Sequence, residues 1–320
     1  MNNIYEVIEG ASTIGIAGHI RPDGDCLGSC TALYTYIKGN YPEKRVEVFL
    51  EDVPEKFMDL NGAEDIITDY PDKNKFDVFI CLDCGSLDRI GNAQKYFNEA
   101  TKTVSVDHHV SNNNYSMINH VEPDASSTCE VLARLMDEEK ISYEVARSLY
   151  TGIIHDTGVF KHSCTSRTTM DVAGMLIEKG INTSKIIDES FYSKTYTQNQ
   201  IMGRCLLESM LVCEGKVVVS SISQKMMAFY GATSNDLDGI IDQLRVTKGV
   251  EVAILIHETA EQTYKVSMRS NGHVNVNEIC TYFGGGGHIK AAGCSMSGSI
   301  HDVINNLTKH IEKQLMEKED

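Results

Sequence analysis

Residues 13–38 read TIGIAGHIRPDGDCLGSCTALYTYIK, and this stretch predicts how the chain begins to fold. The apolar, β-branched run Thr13–Gly18 predicts a strand. A polar segment follows, and apolar positions at helical spacing then predict a helix over Leu27–Lys38. A strand that leads into a crossover helix is the repeating unit of a parallel sheet with helices on its faces. The stretch therefore predicts an α/β fold.

The same alternation continues through the N-terminal half. Further strands are predicted at Val46–Leu50, Asp77–Leu82 and Thr103–Val106. Helical spacing predicts helices over Thr128–Lys140, Tyr143–Ile154 and Met170–Lys179. Together these elements predict a doubly wound, mainly parallel domain over residues 1–190.

The C-terminal part has a different order of elements. Residues 191–213 have helical spacing and are predicted to form a connecting helix. Strands predicted at Val217–Ile222, Val250–His257 and Tyr264–Ser270 then cluster before a final helix, Val303–Lys313. We therefore expect a smaller α+β domain over residues 214–320, joined by the helix to the α/β domain.

Composition narrows the class of protein. The 320 residues are 42% apolar and 23% charged, which is typical of a globular chain of two ordinary domains. No apolar stretch approaches the roughly 20 residues of a membrane helix, and the N-terminus does not resemble a signal peptide. We expect a cytoplasmic protein with no membrane partner, and ten scattered cysteines that are reduced and mostly buried.

The net charge of −16 bears on the partners of the chain. Affinity for a nucleic-acid backbone depends on many Lys and Arg contacts, so this charge disfavours long or duplex nucleic acid. Any nucleic-acid substrate should therefore be short.

Acidic and imidazole side chains follow the predicted strands. In an open parallel sheet the ligand site lies beyond the carboxyl ends of the strands, so these side chains should meet in one crevice. A lone strand-end Asp is commonly a helix cap, and a lone His is more often structural. A cluster of carboxylates is unfavourable unless cations neutralise it, so the convergence predicts metal binding. The candidates after strands are His19, Asp23, Asp25, Asp83, Asp107, His108 and His109, and a further candidate, Asp156, follows the predicted helix Tyr143–Ile154.

The ligand types limit the choice of metal. Mixed Asp and His ligation without thiolates suits manganese, iron, cobalt or zinc, and the excess of carboxylates favours manganese. We therefore expect two divalent ions, Mn²⁺ first, with Mg²⁺, Co²⁺, Fe²⁺ or Zn²⁺ as alternatives. Two such ions about 3.5–4 Å apart share a water, lower its pKa and clamp phosphoryl oxygens during in-line displacement.

The motifs of this chain resemble those of the DHH phosphoesterase superfamily, which is named for the triplet Asp107-His108-His109. The resemblance covers essentially the whole chain. It rests on four N-terminal motifs and on a glycine-rich segment similar to the family's C-terminal substrate-binding domain. These motifs are GHIRPDGDCLGS at 18–29, LDCG at 82–85, VDHH at 106–109, DTG at 156–158 and FGGGGHIKAAG at 283–293.

The resemblance implies a role for each residue. It places His19, Asp23 and Asp83 on one metal, and Asp25, Asp83, His108 and Asp156 on the other, with Asp83 bridging. Asp107 would orient a ligand, and His109 would face the substrate phosphate. Other residues would bind the substrate, although Ser127 looks first like a helix N-cap, the glycine run could be a linker, and Arg269 could be an exposed arginine at a strand end. These substrate-binding candidates are Ser127, Arg269, Gly286, Gly287 and His288.

One departure from the family pattern concerns the segment after Asp156. The family often continues with Phe-Arg, whereas this chain has Phe160-Lys161-His162. A lysine cannot reproduce the two-pronged contact of an arginine with phosphate, so the local substrate contact should differ.

The resemblance also implies a function. Short chains with this C-terminal signature look like enzymes that degrade very short 5′-phosphorylated RNAs and dephosphorylate 3′-phosphoadenosine 5′-phosphate. The alternatives are a phosphodiesterase of cyclic dinucleotides or their linear products, and a non-catalytic nucleotide-binding protein. A homodimer is compatible with the sequence.

Overall fold

The chain divides into two compact units, Met1–Ser193 and Lys194–Asp320. The computed structural model describes residues 3–72 and 75–316, so the last four residues of the predicted C-terminal domain lie outside the described part. Each unit has its own sheet.

The first unit is a five-stranded parallel sheet covered by helices. The strands are β1 Thr13–Ala17, β2 Arg45–Phe49, β3 Val78–Leu82, β4 Lys102–Asp107 and β5 Ile118–Val121. The helices are α1 Tyr5–Ile8, α2 Gly24–Asn40, α3 Gln94–Glu99, α4 Thr128–Leu135, α5 Tyr143–Asp156, α6 Arg167–Glu178 and α7 Thr183–Ile186.

The order of strands in this sheet determines where a ligand site can form. The order is β2-β1-β3-β4-β5, and every neighbouring pair is parallel. The chain therefore leaves β1 towards one side of the sheet and β3 towards the other. This topological switch opens a crevice beyond the carboxyl ends of β1 and β3, which is the usual ligand site of doubly wound folds.

The predicted N-terminal fold is confirmed, with local differences. The four predicted strands match β1 to β4 within one residue at each end. The short strand β5 was not predicted. The predicted helix Thr128–Lys140 is wrong in its last part, because α4 ends at Leu135, Met136 is extended, and Glu138–Lys140 forms a separate 3₁₀ turn.

The second unit is built on a six-stranded mixed sheet. The strand order is β10-β11-β9-β8-β7-β6, and β7 and β8 are the parallel pair in it. The strands are β6 Met210–Val212, β7 Val217–Ile222, β8 Val252–Ala260, β9 Thr263–Ser270, β10 Gly286–His288 and β11 Ala291–Ser297. The helices are α8 Tyr196–Leu207, α9 Gln224–Tyr230, α10 Ile240–Arg245, α11 Val276–Tyr282 and α12 Ile300–Met316.

The predicted connecting helix over 191–213 is wrong at its C-terminal end. Helix α8 ends at Leu207, and Met210–Val212 is strand β6, which pairs with β7. Met210–Val212 is extended because it pairs with β7, and the spacing of apolar residues along the local sequence does not reveal such pairing. The glycine-rich segment also contains a strand, since β10 and β11 form an antiparallel hairpin.

Each unit buries its own apolar side chains. In the first unit one cluster includes Ile16, Leu33 and Ile80, and a smaller aromatic cluster includes Phe49 and Phe79. In the second unit, the clusters contain residues such as Ile254 and Val218. Over residues 3–72 and 75–316, no helix combines the length and the apolar character that crossing a membrane requires.

Candidate metal centre

The first candidate ligands lie where β1 leads into α2. Asp23 is the N-cap of α2, and its Oδ1 accepts hydrogen bonds from the backbone N–H groups of Asp25 and Cys26 at 3.2 and 3.1 Å. Asp25 lies in the first turn and is fully buried, whereas the side chain of Asp23 remains about 60% exposed. The cap thus fixes two carboxylates at the start of one helix, on the crevice side of the sheet.

Asp83 follows β3 and lies at the centre of the cluster. Its backbone is left-handed, with φ of 59°, a conformation that Asp and Asn tolerate better than most residues. The carboxylate is buried and its two oxygens face different imidazoles. Oδ2 is 3.4 Å from Nε2 of His19, and Oδ1 is 3.6 Å from Nε2 of His108. One carboxylate therefore serves two neighbouring groups of potential ligands.

Three groups of side chains are close enough to hold an ion each. Within each group one ligand atom per residue lies within 4.8 Å of the others. In the group formed by Asp25, His108 and Asp156, Nε2 of His108 is 3.1 Å from Oδ2 of Asp156 and 4.0 Å from Oδ2 of Asp25. The groups are His19 with Asp23 and Asp83, Asp25 with His108 and Asp156, and Asp83 with His108 and His109.

The orientation of two imidazoles fits metal binding. Nδ1 of His19 is 2.9 Å from the Ile20 carbonyl oxygen, and Nδ1 of His108 is 3.4 Å from that of Ala125. A carbonyl can only accept, so Nδ1 carries the proton in both rings. When Nε2 gives up its own proton, each ring is left with its lone pair on Nε2, which is the tautomer a metal ligand needs here.

The electrostatics of the cluster without cations are extreme. Burial opposes protonation of His19, but hydrogen bonds to Asp23 and Asp83 outweigh it and raise the His19 pKa to about 12. Burial is likewise outweighed at His108, whose pKa rises to about 10 through Asp156 and the neighbouring carboxylates. Burial and the charges of Asp83 and Asp156 raise the pKa of Asp25 well above its ordinary value. These shifts indicate a site that requires positive charge.

The N-terminus of α4 contacts this cluster directly. Both oxygens of Asp25 accept backbone hydrogen bonds, from the N–H of Thr128 at 2.6 Å and from that of Cys129 at 2.9 Å. The Thr128 hydroxyl donates to Oδ1 of Asp83 at 3.0 Å. Helix α4 therefore fixes two of the candidate ligands in place.

Asp107 and His109 form a pair beside the cluster. Oδ1 of Asp107 lies 2.7 Å from Nδ1 of His109, and Oδ2 accepts a hydrogen bond from the Asn112 amide at 2.6 Å. The hydrogen bond to Asp107 raises the pKa of His109, although burial opposes it. The imidazole is about 42% exposed, so its other nitrogen can reach a bound molecule.

Sequence reasoning missed several residues that shape this site. Asn112 and Thr128 bond to the candidate ligands, and neither followed a predicted strand. His155, the residue before Asp156, packs against Gly24, which lies between Asp23 and Asp25 in the sequence. Its ring is also within hydrogen-bond distance of the Ser190 hydroxyl. Burial lowers its pKa to about 4, which keeps the ring neutral. Of these residues, only Thr128 could have been found from the sequence, because it belongs to the polar run 126–128 at the start of a predicted helix.

The predicted substrate contact of Ser127 is not supported. Ser127 is fully buried, and its hydroxyl caps α4 by accepting a hydrogen bond from the Glu130 N–H at 3.0 Å. The capping role is therefore the one that the structure gives it.

Two of the predicted substrate residues of the second unit, Arg269 and His288, share one row of its sheet. Arg269 on β9 lies opposite Ala291 on β11, and Ala291 lies opposite His288 on β10. Side chains directly opposite each other point to the same face of a sheet, so Arg269 and His288 flank the small Ala291 on one face. The Arg269 side chain is about one-third exposed.

The glycine run has a local structural reason. A Cβ on Gly287, which has φ of 150°, would lie 2.5 Å from the Ala291 carbonyl oxygen, and one on Gly285 would strike the backbone of Gly293. By contrast, a Cβ on Gly286 would meet its first atom only at 4.0 Å. Two of the glycines are thus explained by close pairing with β11, and Gly286 is exposed and unconstrained.

Comparisons with known proteins agree with this architecture. A sequence model of the DHH family, N-terminal domain, matches residues 13–153, and a model of the DHHA1 domain matches residues 214–317. The solved structure of an exopolyphosphatase-related protein from Bacteroides fragilis superposes with a TM-score of 0.86 at 26% identity, and the match covers 97% of this chain and 94% of that one. The fold and both halves of the predicted resemblance are confirmed.

Two relatives are similar over nearly their full length. The probable bifunctional oligoribonuclease and PAP phosphatase NrnA of Streptococcus mutans is 26% identical, over 96% of this chain and 98% of its own length. The bifunctional oligoribonuclease and PAP phosphatase NrnA of Thermus thermophilus is 27% identical, over 92% of this chain and 87% of its own.

Proposed function

Since this chain belongs to the DHH family and joins its N-terminal domain to a DHHA1 domain, we propose that it is a two-metal phosphoesterase of small nucleotides. Its substrates are short 5′-phosphorylated oligoribonucleotides and 3′-phosphoadenosine 5′-phosphate (PAP), the substrate classes named in its relatives. The observation that supports this most is Asp83, whose two oxygens face His19 on one side and His108 on the other.

The ligands divide into two sets around Asp83. His19, Asp23 and Asp83 hold one ion, and Asp25, Asp83, His108 and Asp156 hold the second, as two of the observed groups suggest. We assign Mn²⁺ because four of these six residues are carboxylates, the other two are imidazoles, and none is a thiolate. When bound, two such ions supply a water of lowered pKa and neutralise charge on the phosphoryl oxygens.

His109 binds the phosphate in this proposal. Asp107 holds the ring through Nδ1, so the opposite nitrogen, Nε2, is directed away from that carboxylate. The neighbouring carboxylate raises the pKa of His109 and so favours its charged form. A protonated imidazole placed beside the reacting phosphate stabilises the negative charge that develops during displacement.

The second unit offers substrate contacts of its own. Arg269 and His288 offer hydrogen-bond donors on one face of the sheet, and Gly286 exposes its backbone beside His288. A guanidinium binds phosphate oxygens in pairs, and a glycine backbone lets an anion approach its N–H group closely. Manganese, the individual ligands and these substrate contacts are the parts of the proposal that experiment must test.

Asp83→Asn tests the metal centre. Asparagine tolerates the left-handed backbone and keeps the shape, but it removes the shared negative charge. We expect loss of the second bound Mn²⁺ and a fall in hydrolysis of more than about a hundredfold, since even partners of metal ligands are worth 10–100-fold. Asp171→Asn makes the same chemical change at an exposed i,i+4 ion pair and should behave as wild type. Full activity of Asp83→Asn would disprove the proposal.

A substrate panel tests the substrate class. We expect turnover of 5′-phosphorylated dinucleotides and of PAP, and much slower turnover of RNA of a dozen or more nucleotides, because the charge of −16 disfavours extended binding. Cyclic dinucleotides and pyrophosphate complete the panel. Preference for a cyclic dinucleotide would favour the phosphodiesterase alternative, and binding without turnover of any substrate would favour a nucleotide-binding protein.

A further inference from the structure

The buried carboxylate of Glu130 lies in the first turn of α4, two residues after Thr128. It is about 2% exposed, yet it belongs to none of the groups that could hold an ion. One of its oxygens, Oε2, accepts hydrogen bonds from the Ser126 N–H at 3.2 Å, the Ser126 hydroxyl at 2.6 Å and the Thr169 hydroxyl at 2.7 Å. Three donors on one buried oxygen form a fixed polar anchor rather than an adjustable surface contact.

The segment that Glu130 fastens is the one that reaches the ligands. Ala125, directly before Ser126, presents the carbonyl that faces Nδ1 of His108. Thr128, two residues after Ser126, donates through its backbone to Asp25 and through its hydroxyl to Asp83. A shift of residues 125–128 would therefore disturb three candidate ligands at once.

The anchor also joins separate elements of the first unit. Thr169 lies in the first turn of α6, where its Oγ1 accepts from the Ser166 N–H and donates its proton to Glu130. On the other side, Arg134 is 3.8 Å from Oε1 of Glu130 and 2.5 Å from Glu122, whose backbone N–H bonds to the Asp107 carbonyl oxygen. Glu130 thus connects α6 and the end of β4 to the loop behind the ligands.

We propose that Glu130, with Thr169, is a positioning residue that holds residues 125–128 so that His108, Asp25 and Asp83 keep the geometry needed for two metal ions. This inference rests on the proposed metal centre and extends it to a residue that contacts neither metal nor substrate. Groups that orient metal ligands in this way typically contribute 10–100-fold to metal affinity.

The test compares two substitutions at one position. Thr169→Val keeps the size of the side chain and removes the proton donated to Glu130, whereas Thr169→Ser restores a hydroxyl. Thr151→Val is the matched control, because Thr151 is also buried and its hydroxyl donates to a backbone carbonyl within α5. Glu130→Gln adds an independent variant, since it keeps an oxygen but loses the charge that three donors and Arg134 surround.

The measurements are calorimetric titration of the metal-free full-length variants with Mn²⁺, their thermal unfolding, and kcat and KM. We expect Thr169→Val and Glu130→Gln to weaken Mn²⁺ binding by about tenfold or more and to lower kcat more than they change KM. The control Thr151→Val should have the same thermal stability as these two variants and should bind Mn²⁺ as the wild type does. Thr169→Ser should recover most of the affinity.

The outcomes separate this inference from the function it rests on. If wild type binds two Mn²⁺ and both variants bind as wild type does, the positioning role is overturned and the metal centre stands. If Thr151→Val weakens binding as much as Thr169→Val, the effect is general destabilisation and the role is overturned as well. If wild type itself binds no Mn²⁺, the metal centre and the inference are both overturned.

Discussion

Without metal, the imidazoles of His19 and His108 are in a protonation state that cannot bind a metal ion. Without metal, their pKa values of about 12 and about 10 keep both rings protonated at pH 7. A protonated Nε2 has no lone pair for a metal. Binding must therefore displace protons that the carboxylates hold in place.

The first prediction concerns these protons. At pH 7, below both raised pKa values, Mn²⁺ binding should release one proton from each of the two rings, and affinity should fall as the pH is lowered. Titration calorimetry in buffers of different ionisation enthalpy measures the release. His19→Gln should release one proton fewer. Heats that are independent of the buffer would contradict the pKa shifts described here.

The candidate ligands themselves were predictable from the sequence, because each lies beside the end of a strand or helix with strong spacing. The rule that ligand sites form beyond the carboxyl ends of parallel strands led to His19, Asp83 and His108 without coordinates. The support for those ligands was not predictable. Asp25 and Thr128 are more than a hundred residues apart, and nothing in the local sequence of either indicates that they meet.

Among the elements, the hairpin of β10 and β11 differs most from the sequence-based expectation. The glycine run was predicted to cradle phosphate, and its close pairing with β11 offers a structural explanation for part of it. Position 287 requires glycine for the fold, whereas the neighbouring position 286 does not. The two explanations can therefore be separated at adjacent residues.

The second prediction uses this difference. Gly287→Ala forces a Cβ to 2.5 Å from the Ala291 carbonyl oxygen at a φ of 150°, so it should lower the stability of the second unit by about 1–3 kcal/mol. Gly286→Ala should leave stability unchanged and raise KM, since its Cβ covers the exposed backbone beside His288. Chemical denaturation and steady-state kinetics measure the two effects. Equal destabilisation by both substitutions would refute the packing argument.

Elements with strong local patterns were predicted well, and elements defined by pairing were not. Strand β7 is found over Val217–Ile222, the predicted range. Strand β6, however, has apolar residues at spacings that also fit a helix, and only its pairing with β7 makes it a strand. Strand β5, Ile118–Val121, contains Asn119 and His120, so its sequence has no continuous apolar run.

At the scale of the whole molecule, each unit has its own apolar core. Every buried cluster is drawn from residues of a single unit. The candidate ligands all belong to Met1–Ser193. A ligand stabilises only the cooperative unit that binds it, in proportion to the logarithm of its excess over Kd.

The third prediction follows from this division. Scanning calorimetry of the metal-free chain should resolve two unfolding transitions, and Mn²⁺ should raise the midpoint of one of them. At about a hundredfold excess over Kd, the gain is about 2.7 kcal/mol. Asp83→Asn should abolish that gain and leave the other transition unchanged. A single transition, or two that rise together, would show that the units unfold as one body.

The amides at the start of α4 have a consequence for the chemistry of the whole fold. In many nucleotide-binding proteins, the first turn of a helix receives a phosphate directly. Here the N–H groups of Thr128 and Cys129 already donate to the side chain of Asp25. The start of this helix is therefore occupied by a side chain of the protein and is not open to a phosphate. If the proposed function holds, we expect the chain to bind a nucleotide phosphate through its metal ions and not through this helix.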